Sequence, residues 1–540
     1  MMYRIILFLL GSLAIATQYG DNHARVRKDE PQIAVHFPDP AIPLLSPAFL
    51  KDSNIPAGFS EGTSGPTNDA VMEDFIQSLA ERNDWMTYRP ADYLSEEGRK
   101  IGFVSLSTTM RGDNMTYASP AQKATLWIQG GVHGNEPAGD QAVLALLGKM
   151  DANQTWTSSI LENVDITILP RYNPDGVSYF QRTLTTNFDP NRDHIKLARQ
   201  QTKDIKKTFN DFDPHVAVDM HEFTATFQLL SHGSVYIPAA DVMFSAAKNL
   251  NIQPSIRNMS EELFAPAISS YLEASKFTWE PYVTLSNGRV PDATISYSEA
   301  DTEARIGRNA MGLTQAIVFL VETRGVGIAD QHFARRTAAG LTALESIIQT
   351  TADNAAEVIK VVEGGAKTFI DSKDEIVISD YPRKSTINWT FFDHKSGHHE
   401  EVPITFFNTT PTISNLTRSR PEAYLIPRAW SDLAERLRVY GLEVTVLKEP
   451  YRGNVEILTI ETSKFAKSYD EGSVLATVTT NSTMKEVHLP TGSFWISTRQ
   501  KNAGLAFAAL EPEGKDSYVS TNIVPLEVGD EVPVYRVLST

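Results

Sequence analysis

His133 and Glu136 are the first residues of this chain whose types and spacing suggest chemistry. They follow the apolar run 124–128, which predicts a buried strand that ends at two glycines. Pro137 then suits the first residue of a helix. An imidazole and a carboxylate three residues apart can reach one divalent metal, and zinc accepts both ligand types. Alone, the pattern fits a capped turn with a surface His and Glu equally well.

His221 is a second candidate ligand, because it directly follows the apolar run 215–220. Asp219 lies two residues earlier, on the same face of the strand if the strand geometry continues. One hypothesis is that Asp219 holds the ring of His221. Glu222 or a backbone carbonyl would serve the same purpose.

Glu322 ends a further apolar run, 316–321. A carboxylate in that position needs a partner or a function, because burying it unpaired is costly. A local ion pair with Arg324 is one explanation. General base catalysis is another, since a glutamate can take a proton from a water molecule.

Arg182, Asn191 and Arg192 follow the predicted strand 164–169 and the turn 170–176. Guanidinium forks bind carboxylates through two hydrogen bonds, and an amide adds a fixed donor. This segment therefore suits a carboxylate or an oxyanion. Solvated ion pairs on the surface are the alternative.

These groups would meet at one rim if the four strands share a sheet, because ligands of open α/β sheets lie at the carboxyl ends of strands. Two histidines and a glutamate form the protein shell of a catalytic zinc, with a fourth position open to water. A further glutamate and arginines complete the residue types needed for metal-assisted hydrolysis.

The composition limits the function classes. The chain has 540 residues, a net charge of -17 and a pI of about 5.2, which argues against a nucleic-acid partner and a basic membrane-binding face. It has no cysteine, so a metal must be bound by His, Asp, Glu or water. Its length predicts at least two domains.

In combination, the motifs resemble the zinc metallocarboxypeptidases of the carboxypeptidase A type, over roughly residues 69–340. The matching residues appear in that family's order: His133, Glu136, the Asn173-Pro174-Asp175-Gly176 turn, Arg182, Asn191, Arg192, His221 and Glu322. The resemblance implies an α/β/α sandwich around a mixed, mostly parallel, twisted eight-stranded sheet. It also implies one Zn²⁺ per chain.

The resemblance assigns roles to these residues. His133, Glu136 and His221 would bind the zinc, and Glu322 would be the general base. Arg182 would stabilise the oxyanion. Asn191 and Arg192 would bind the C-terminal carboxylate of a peptide.

The mobile tyrosine of that family has no clear match. Tyr297 is the nearest candidate for this substrate-binding residue. Four acidic residues nearby would favour a basic C-terminal side chain if they lined the pocket, although a solvated acidic loop is the simpler interpretation: Asp292, Glu299, Asp301 and Glu303.

The rest of the chain suggests four segments. Residues 1–24 resemble a signal peptide, with an apolar stretch too short to span a bilayer. Residues 25–68 predict an extended arm, 69–364 the catalytic domain with a long helical region ended by Gly364-Gly365, and 371–540 a β-rich accessory domain. A secreted or periplasmic protein is expected, with no stable membrane insertion after cleavage.

The sequence thus predicts a secreted zinc carboxypeptidase acting on peptide or protein substrates. Two alternatives remain. One is a zinc amidohydrolase acting on N-acyl amino acids or cell-wall peptides, which would share much of this shell. The other is a non-catalytic binding protein on the same fold.

Overall fold

The computed structural model describes residues 25–50, 55–108, 123–287, 293–468 and 473–539. The predicted signal peptide, 1–24, and Asp292 lie outside the described residues. Within the described ranges, none of the helices combines the length and the apolar character needed to cross a bilayer.

The described residues form strands and helices with the following bounds. The strands are β1 (Met86–Leu94), β2 (Lys100–Leu106), β3 (Ala124–Gln129), β4 (Val164–Leu169), β5 (Val216–Thr224), β6 (Leu229–Ser231), β7 (Ser234–Pro238), β8 (Val242–Ala246), β9 (Trp279–Pro281), β10 (Val283–Asn287), β11 (Ser296–Glu299), β12 (Ile317–Val326), β13 (Ile376–Asp393), β14 (His399–Arg418), β15 (Ala423–Ile426), β16 (Thr445–Val446), β17 (Tyr451–Phe465), β18 (Ala476–Leu489), β19 (Phe494–Ser497) and β20 (Tyr535–Val537). The α-helices are α1 (Pro31–Ala34), α2 (Pro47–Leu50), α3 (Gly58–Glu61), α4 (Asp69–Ala80), α5 (Pro137–Ala152), α6 (Gln154–Leu161), α7 (Pro174–Tyr179), α8 (Gln200–Phe212), α9 (Pro254–Met259), α10 (Ala265–Ala274), α11 (Gly307–Gly312), α12 (Phe333–Asp353), α13 (Ala355–Asp371), α14 (Ser431–Val439) and α15 (Ala503–Leu510).

An eight-stranded mixed sheet forms the centre of the first half, in the order β1-β2-β4-β3-β5-β12-β8-β9. Strands β4, β3, β5 and β12 are parallel to one another, whereas β2 and β8 run antiparallel to their neighbours β4 and β12. Strand β4 is buried at every position, as expected for a strand covered on both faces. Helix α5 packs against α4, α6 and α12, while α8 contacts β1 and α13 contacts β3. The predicted mixed α/β fold is confirmed.

Strands β5 and β12 continue past the positions where the apolar runs end. Their parallel pairing places Glu322 beside His221 and extends through Thr323 and Arg324. The prediction that Glu322 terminates its strand is therefore wrong. The backbone ladder continues because pairing depends on main-chain groups, whereas the hydrophobic pattern reports only what the side chains face.

A second sheet, in the order β10-β11-β14-β13-β7-β6, takes strands from both halves of the chain. The long hairpin β13–β14 pairs with β7 on one side and β11 on the other. The domain boundary predicted at residues 364–371 is thus crossed by one sheet. A third, antiparallel sheet lies wholly within the C-terminal part, in the order β16-β19-β15-β20-β17-β18, so the β-rich character predicted there is confirmed.

The prediction that Gly364-Gly365 ends the helical region is wrong, because both glycines lie inside α13. A methyl group at Gly365 would lie 3.0 Å from the Ile256 side chain, so this glycine permits close packing against α9. The break between α12 and α13 falls instead at Asn354.

The N-terminal arm lies against the catalytic half and contains the short helices α1, α2 and α3. Asp29 forms two hydrogen bonds with Arg324, at 2.6 Å from Nη1 and 2.8 Å from Nη2. Both side chains are buried, with 2% and 3% of their surface exposed. The guanidinium of Arg324 also lies over the ring of Phe37. A buried ion pair therefore fastens the arm to the end of β12.

We expect Asp29→Ala to lower the free energy of unfolding by about 3 kcal/mol, because it leaves the buried Arg324 charge without its partner. Lys28→Ala is the matched control. Lys28 pairs with Asp330 at the surface, where both side chains are more than 40% exposed, and its loss should cost about 0.5 kcal/mol or less. Urea unfolding of both variants measures the difference, and equal stabilities would contradict the proposed role of the arm.

Candidate active site

The turn after β3 is held against the turn after β4 by backbone hydrogen bonds. The amides of Tyr172 and Asn173 donate to the carbonyls of Gly130 and Gly131, both at 2.9 Å. Gly131 adopts a φ of +61°, which favours glycine. The turn that carries His133 and Glu136 is therefore held at the carboxyl ends of the central strands and is not a free surface loop.

Gly134 is fixed by its approach to Gly176. A Cβ atom at Gly134 would lie 1.9 Å from the carbonyl carbon of Gly176, so only glycine fits there. The amide of Gly176 donates to Asn173 Oδ1 at 2.8 Å, which caps α7. The two predicted motifs, His133 to Glu136 and Asn173 to Gly176, are thus in direct backbone contact.

His133, Glu136 and His221 converge on one point. His133 Nδ1 lies 2.7 Å from Glu136 Oε1 and 3.1 Å from His221 Nδ1, and Glu136 Oε2 lies 2.9 Å from His221 Nδ1. All three are buried, and within the described residues they form the one group of three His or acidic side chains able to hold a metal ion. Burial alone would raise the pKa of Glu136. The charges and hydrogen bonds of both histidines outweigh this effect and hold the pKa below its usual value.

Each histidine of this triad is oriented by an aspartate on its other ring nitrogen. His221 Nε2 lies 3.1 Å from Asp219 Oδ1, which confirms the hypothesis about Asp219. His133 Nε2 lies 3.0 Å from Asp189 Oδ1, a contact that the sequence reasoning missed. Asp189 is buried and also binds Arg182. Such partners fix the ring orientation of histidine ligands.

Glu222 was one candidate for holding the ring of His221, but its side chain contacts the start of α5 instead. Its Oε2 accepts a hydrogen bond from the amide of Ala138 in the first turn of α5, at 3.0 Å. Burial raises the pKa of Glu222 to about 7, although the charge of Arg336 opposes the rise. This side chain therefore holds the start of α5 next to the triad.

Glu322 lies in the neighbouring strand beside His221 and lines the same cavity. It is buried, and in the described residues no hydrogen bond to its carboxylate is found, so the proposed local ion pair with Arg324 is wrong. Arg324 pairs with Asp29 instead. Burial raises the pKa of Glu322 to about 7. The charge of His221 opposes this rise, and that of Glu136 adds to it.

Arg182 projects into the cavity beside the triad. Its Nη1 lies 3.3 Å from Glu136 Oε1, its Nη2 lies 2.8 Å from Asp189 Oδ2, and 42% of its side chain is exposed. Asn191 and Arg192 lie in a single 3₁₀ turn, Pro190–Arg192, which follows Asp189 directly. Asn191 Nδ2 lies 3.4 Å from His221 Nε2.

A cavity of about 910 Å³ brings these groups together. Its walls include seven of the eight predicted site residues: His133, Glu136, Arg182, Asn191, Arg192, Tyr297 and Glu322. His221 does not line the cavity but contacts His133 and Glu136, which do. The arrangement can hold a divalent cation beside the carboxylate of Glu322 and the guanidinium groups of Arg182, Arg192 and Arg308.

Comparisons with known proteins find relatives of this chain. Residues 72–257 match the sequence profile of the zinc carboxypeptidase family. Carboxypeptidase 2 of Trichophyton tonsurans is 49% identical over 538 residues, which cover 98% of this chain and 97% of that protein. Carboxypeptidase 2 of Trichophyton rubrum is 49% identical over 532 residues, with the same coverage. A solved metallo-carboxypeptidase from Burkholderia cenocepacia is 15% identical, with a TM-score of 0.40 over 54% of this chain and 70% of that chain.

The chain belongs to the zinc carboxypeptidase family. It is a hydrolase, and the resemblance inferred from its motifs is confirmed.

Tyr297 of this metallocarboxypeptidase lies in β11 and is 4% exposed. Its ring packs edge-on against Trp389, with 5.2 Å between centroids. Tyr282 lines the same cavity and was missed by the sequence reasoning. Burial and the charge of Glu322 raise the pKa of Tyr282, while Arg192 and other arginines oppose the rise, so its hydroxyl lies among the charged groups of the site.

Several residues near the motifs stabilise the carboxypeptidase fold without reaching the cavity. Arg171 is buried against Asp140 at 2.7 Å, and Asp175 accepts a hydrogen bond from Ser95 Oγ at 2.7 Å. Glu299 pairs with Lys248 and Glu303 with Arg305. Among the described acidic residues considered for a basic pocket, only Asp301 lines the cavity.

We expect Gly134→Ala to lower the free energy of unfolding by about 3 kcal/mol and activity by about 10²-fold, because the added methyl group forces the two turns apart. Gly364→Ala is the control, since that position is helical with open space around it. It should gain about 0.5 kcal/mol from the higher helix propensity of alanine. Denaturant unfolding and turnover of one peptide measure both effects, and a fully active, stable Gly134→Ala protein would refute this account.

Proposed function

We propose that this enzyme is a zinc-dependent carboxypeptidase that hydrolyses the last peptide bond of its substrates with Glu322 as general base. The observation that carries the proposal is the position of Glu322, beside His221 in the adjacent parallel strand, on the cavity that the triad also lines. Export of the enzyme stays a prediction from residues 1–24.

The donor set of the triad fits zinc. Two imidazoles and one carboxylate are its usual ligands in hydrolytic sites, and the three ligand atoms lie within 4.8 Å of one another. Asp219 and Asp189 supply the partners that keep each imidazole in one orientation. Zinc in such a site supplies Lewis acidity, which polarises a carbonyl and lowers the pKa of water.

Glu322 would move the proton. Its carboxylate would take a proton from the attacking water and then give it to the nitrogen of the leaving amino acid. A pKa raised to about 7 by burial supports this exchange, because a base and its conjugate acid are both accessible near neutral pH. No described residue forms a hydrogen bond with this carboxylate, which leaves it available for the proton transfer.

Arg182 would stabilise the negative charge that develops on the carbonyl oxygen. Asp189 holds the guanidinium at the edge of the triad, while the exposed part of the side chain faces the cavity. A donor fixed in advance costs little reorganisation during the reaction.

Asn191 and Arg192 would bind the free carboxylate of the substrate. Asn191 is buried, and its main chain is fixed by a hydrogen bond from its amide to Asp189 Oδ1 at 2.8 Å. An amide donor next to a guanidinium fork suits a carboxylate. This pair would make the enzyme specific for chain ends.

Two substitutions separate metal binding from proton transfer. His133→Ala removes one of three ligands and should lose zinc. Glu322→Gln keeps the ligands, so it should retain zinc and the fold but lose about 10²-fold or more in kcat. Metal analysis and circular dichroism accompany the kinetics. Full zinc occupancy in His133→Ala, or near-normal turnover in Glu322→Gln, would sink the corresponding assignment.

The carboxylate assignment predicts that an amidated peptide is a poor substrate. Blocking the C-terminus should lower kcat/KM by about 10²-fold or more, because buried donors are left unpaired. Arg192→Ala should lose most of this preference, whereas Arg182→Ala should lower kcat on both peptides, since an oxyanion forms in both.

The measurement is the rate of the wild type and both variants on the free-acid and amidated forms of one peptide. Equal wild-type rates on the two forms would remove the exopeptidase assignment and favour an amidase or endopeptidase with the same zinc chemistry.

A further inference from the structure

Arg308 is a buried cation that the reaction described above does not use. It is 1% exposed, lies in α11 and lines the cavity that holds Glu322 and Arg192. Its Nη2 donates to the carbonyl of Asp301 at 2.7 Å, while in the described residues its Nε has no hydrogen-bond partner.

Among the described residues, Arg308 has one long ion pair, with a carboxylate that is half exposed to solvent. Asp301 Oδ1 lies 3.9 Å from Nη2, and the Asp301 side chain is 49% exposed. By contrast, Arg171, Arg324 and Arg335 each have a carboxylate oxygen at 2.6 Å. Burial lowers the pKa of Arg308, with Asp301 opposing the shift. A buried guanidinium without a close counter-ion is costly, so an anionic ligand would satisfy it.

Arg308 lies next to the residues proposed to bind the C-terminal end of the substrate. The amide of Gly307, the preceding residue, donates to Asn191 Oδ1 at 2.7 Å. This contact fixes the start of α11 against the pair assigned to the terminal carboxylate. Arg192 and Arg308 then offer two separate cations in one cavity, while Arg182 is already paired with Asp189 and Glu136.

We propose that Arg308 binds the side-chain carboxylate of an acidic C-terminal residue, so that the enzyme prefers peptides ending in Glu or Asp. The inference rests on the proposed carboxypeptidase function and specifies its substrate class. The C-terminal residue of such a peptide carries two carboxylates, one for Asn191 and Arg192 and one for Arg308. A neutral side chain of the same shape could accept a hydrogen bond but would leave the buried positive charge uncompensated.

The test uses one peptide with four C-terminal residues, Glu, Gln, Leu and Lys, and measures kcat and KM of the wild type for each. We expect kcat/KM to be about 10-fold or more higher for Glu than for its near-isostere Gln, the scale of a hydrogen bond to a charged group. Turnover of Gln or Leu peptides without a preference for Glu would overturn the inference while leaving the proposed function intact. No turnover of any of the four would contradict the proposed function and, with it, this inference.

Three variants then assign the preference to the residue. Arg308→Met should bring the Glu-to-Gln ratio close to one, mainly through KM. Arg308→Glu should favour the Lys peptide over the Glu peptide. Arg452→Met is the matched control, because Arg452 is 69% exposed and does not line the cavity. It should keep the wild-type ratio. An unchanged ratio in a folded Arg308→Met protein would show that another group sets the preference.

Discussion

The parallel pairing of β5 with β12 is the constraint on which the site depends. It places Glu322 and His221 side by side, because a one-residue slip of either strand would turn the side chains of that strand to the opposite face of the sheet. The other two members of the triad, His133 and Glu136, come from the turn after β3. That turn reaches the triad only because Gly134 and Gly176 let two backbones touch.

Around this frame, several buried charged groups of the enzyme have defined partners. Asp189 contacts His133 and Arg182 together, so the triad and the guanidinium proposed to stabilise the oxyanion share one buried carboxylate. Asp219 serves His221, and Glu222 serves the first turn of α5. Such contacts orient the polar groups of the site in advance, and preorganised groups are what electrostatic catalysis requires.

The sequence predicted the parts of the site that depend on local patterns. His133, Glu136 and His221 follow apolar runs, and the runs locate the strands that carry them. It did not predict Asp189 as a partner of His133, because the two residues are 56 positions apart in the sequence. It also did not predict that Tyr282 lines the cavity, because the fold brings Tyr282 to the site and no local pattern does. It misplaced the helix end at Gly364-Gly365, where tertiary packing against α9 outweighs the weak helix propensity of glycine.

The second sheet cannot be completed during synthesis until strands from both halves of the chain have been made. Strands β7 and β11 belong to the catalytic half, yet their neighbours β13 and β14 leave the ribosome some 80 residues or more after β11. Until then, both strands present unpaired edges of the kind that recruit other chains. The nascent enzyme therefore passes through a stage in which its eight-stranded sheet is complete but β7 and β11 each lack one neighbouring strand, and a chaperone that shields strand edges would act at that stage.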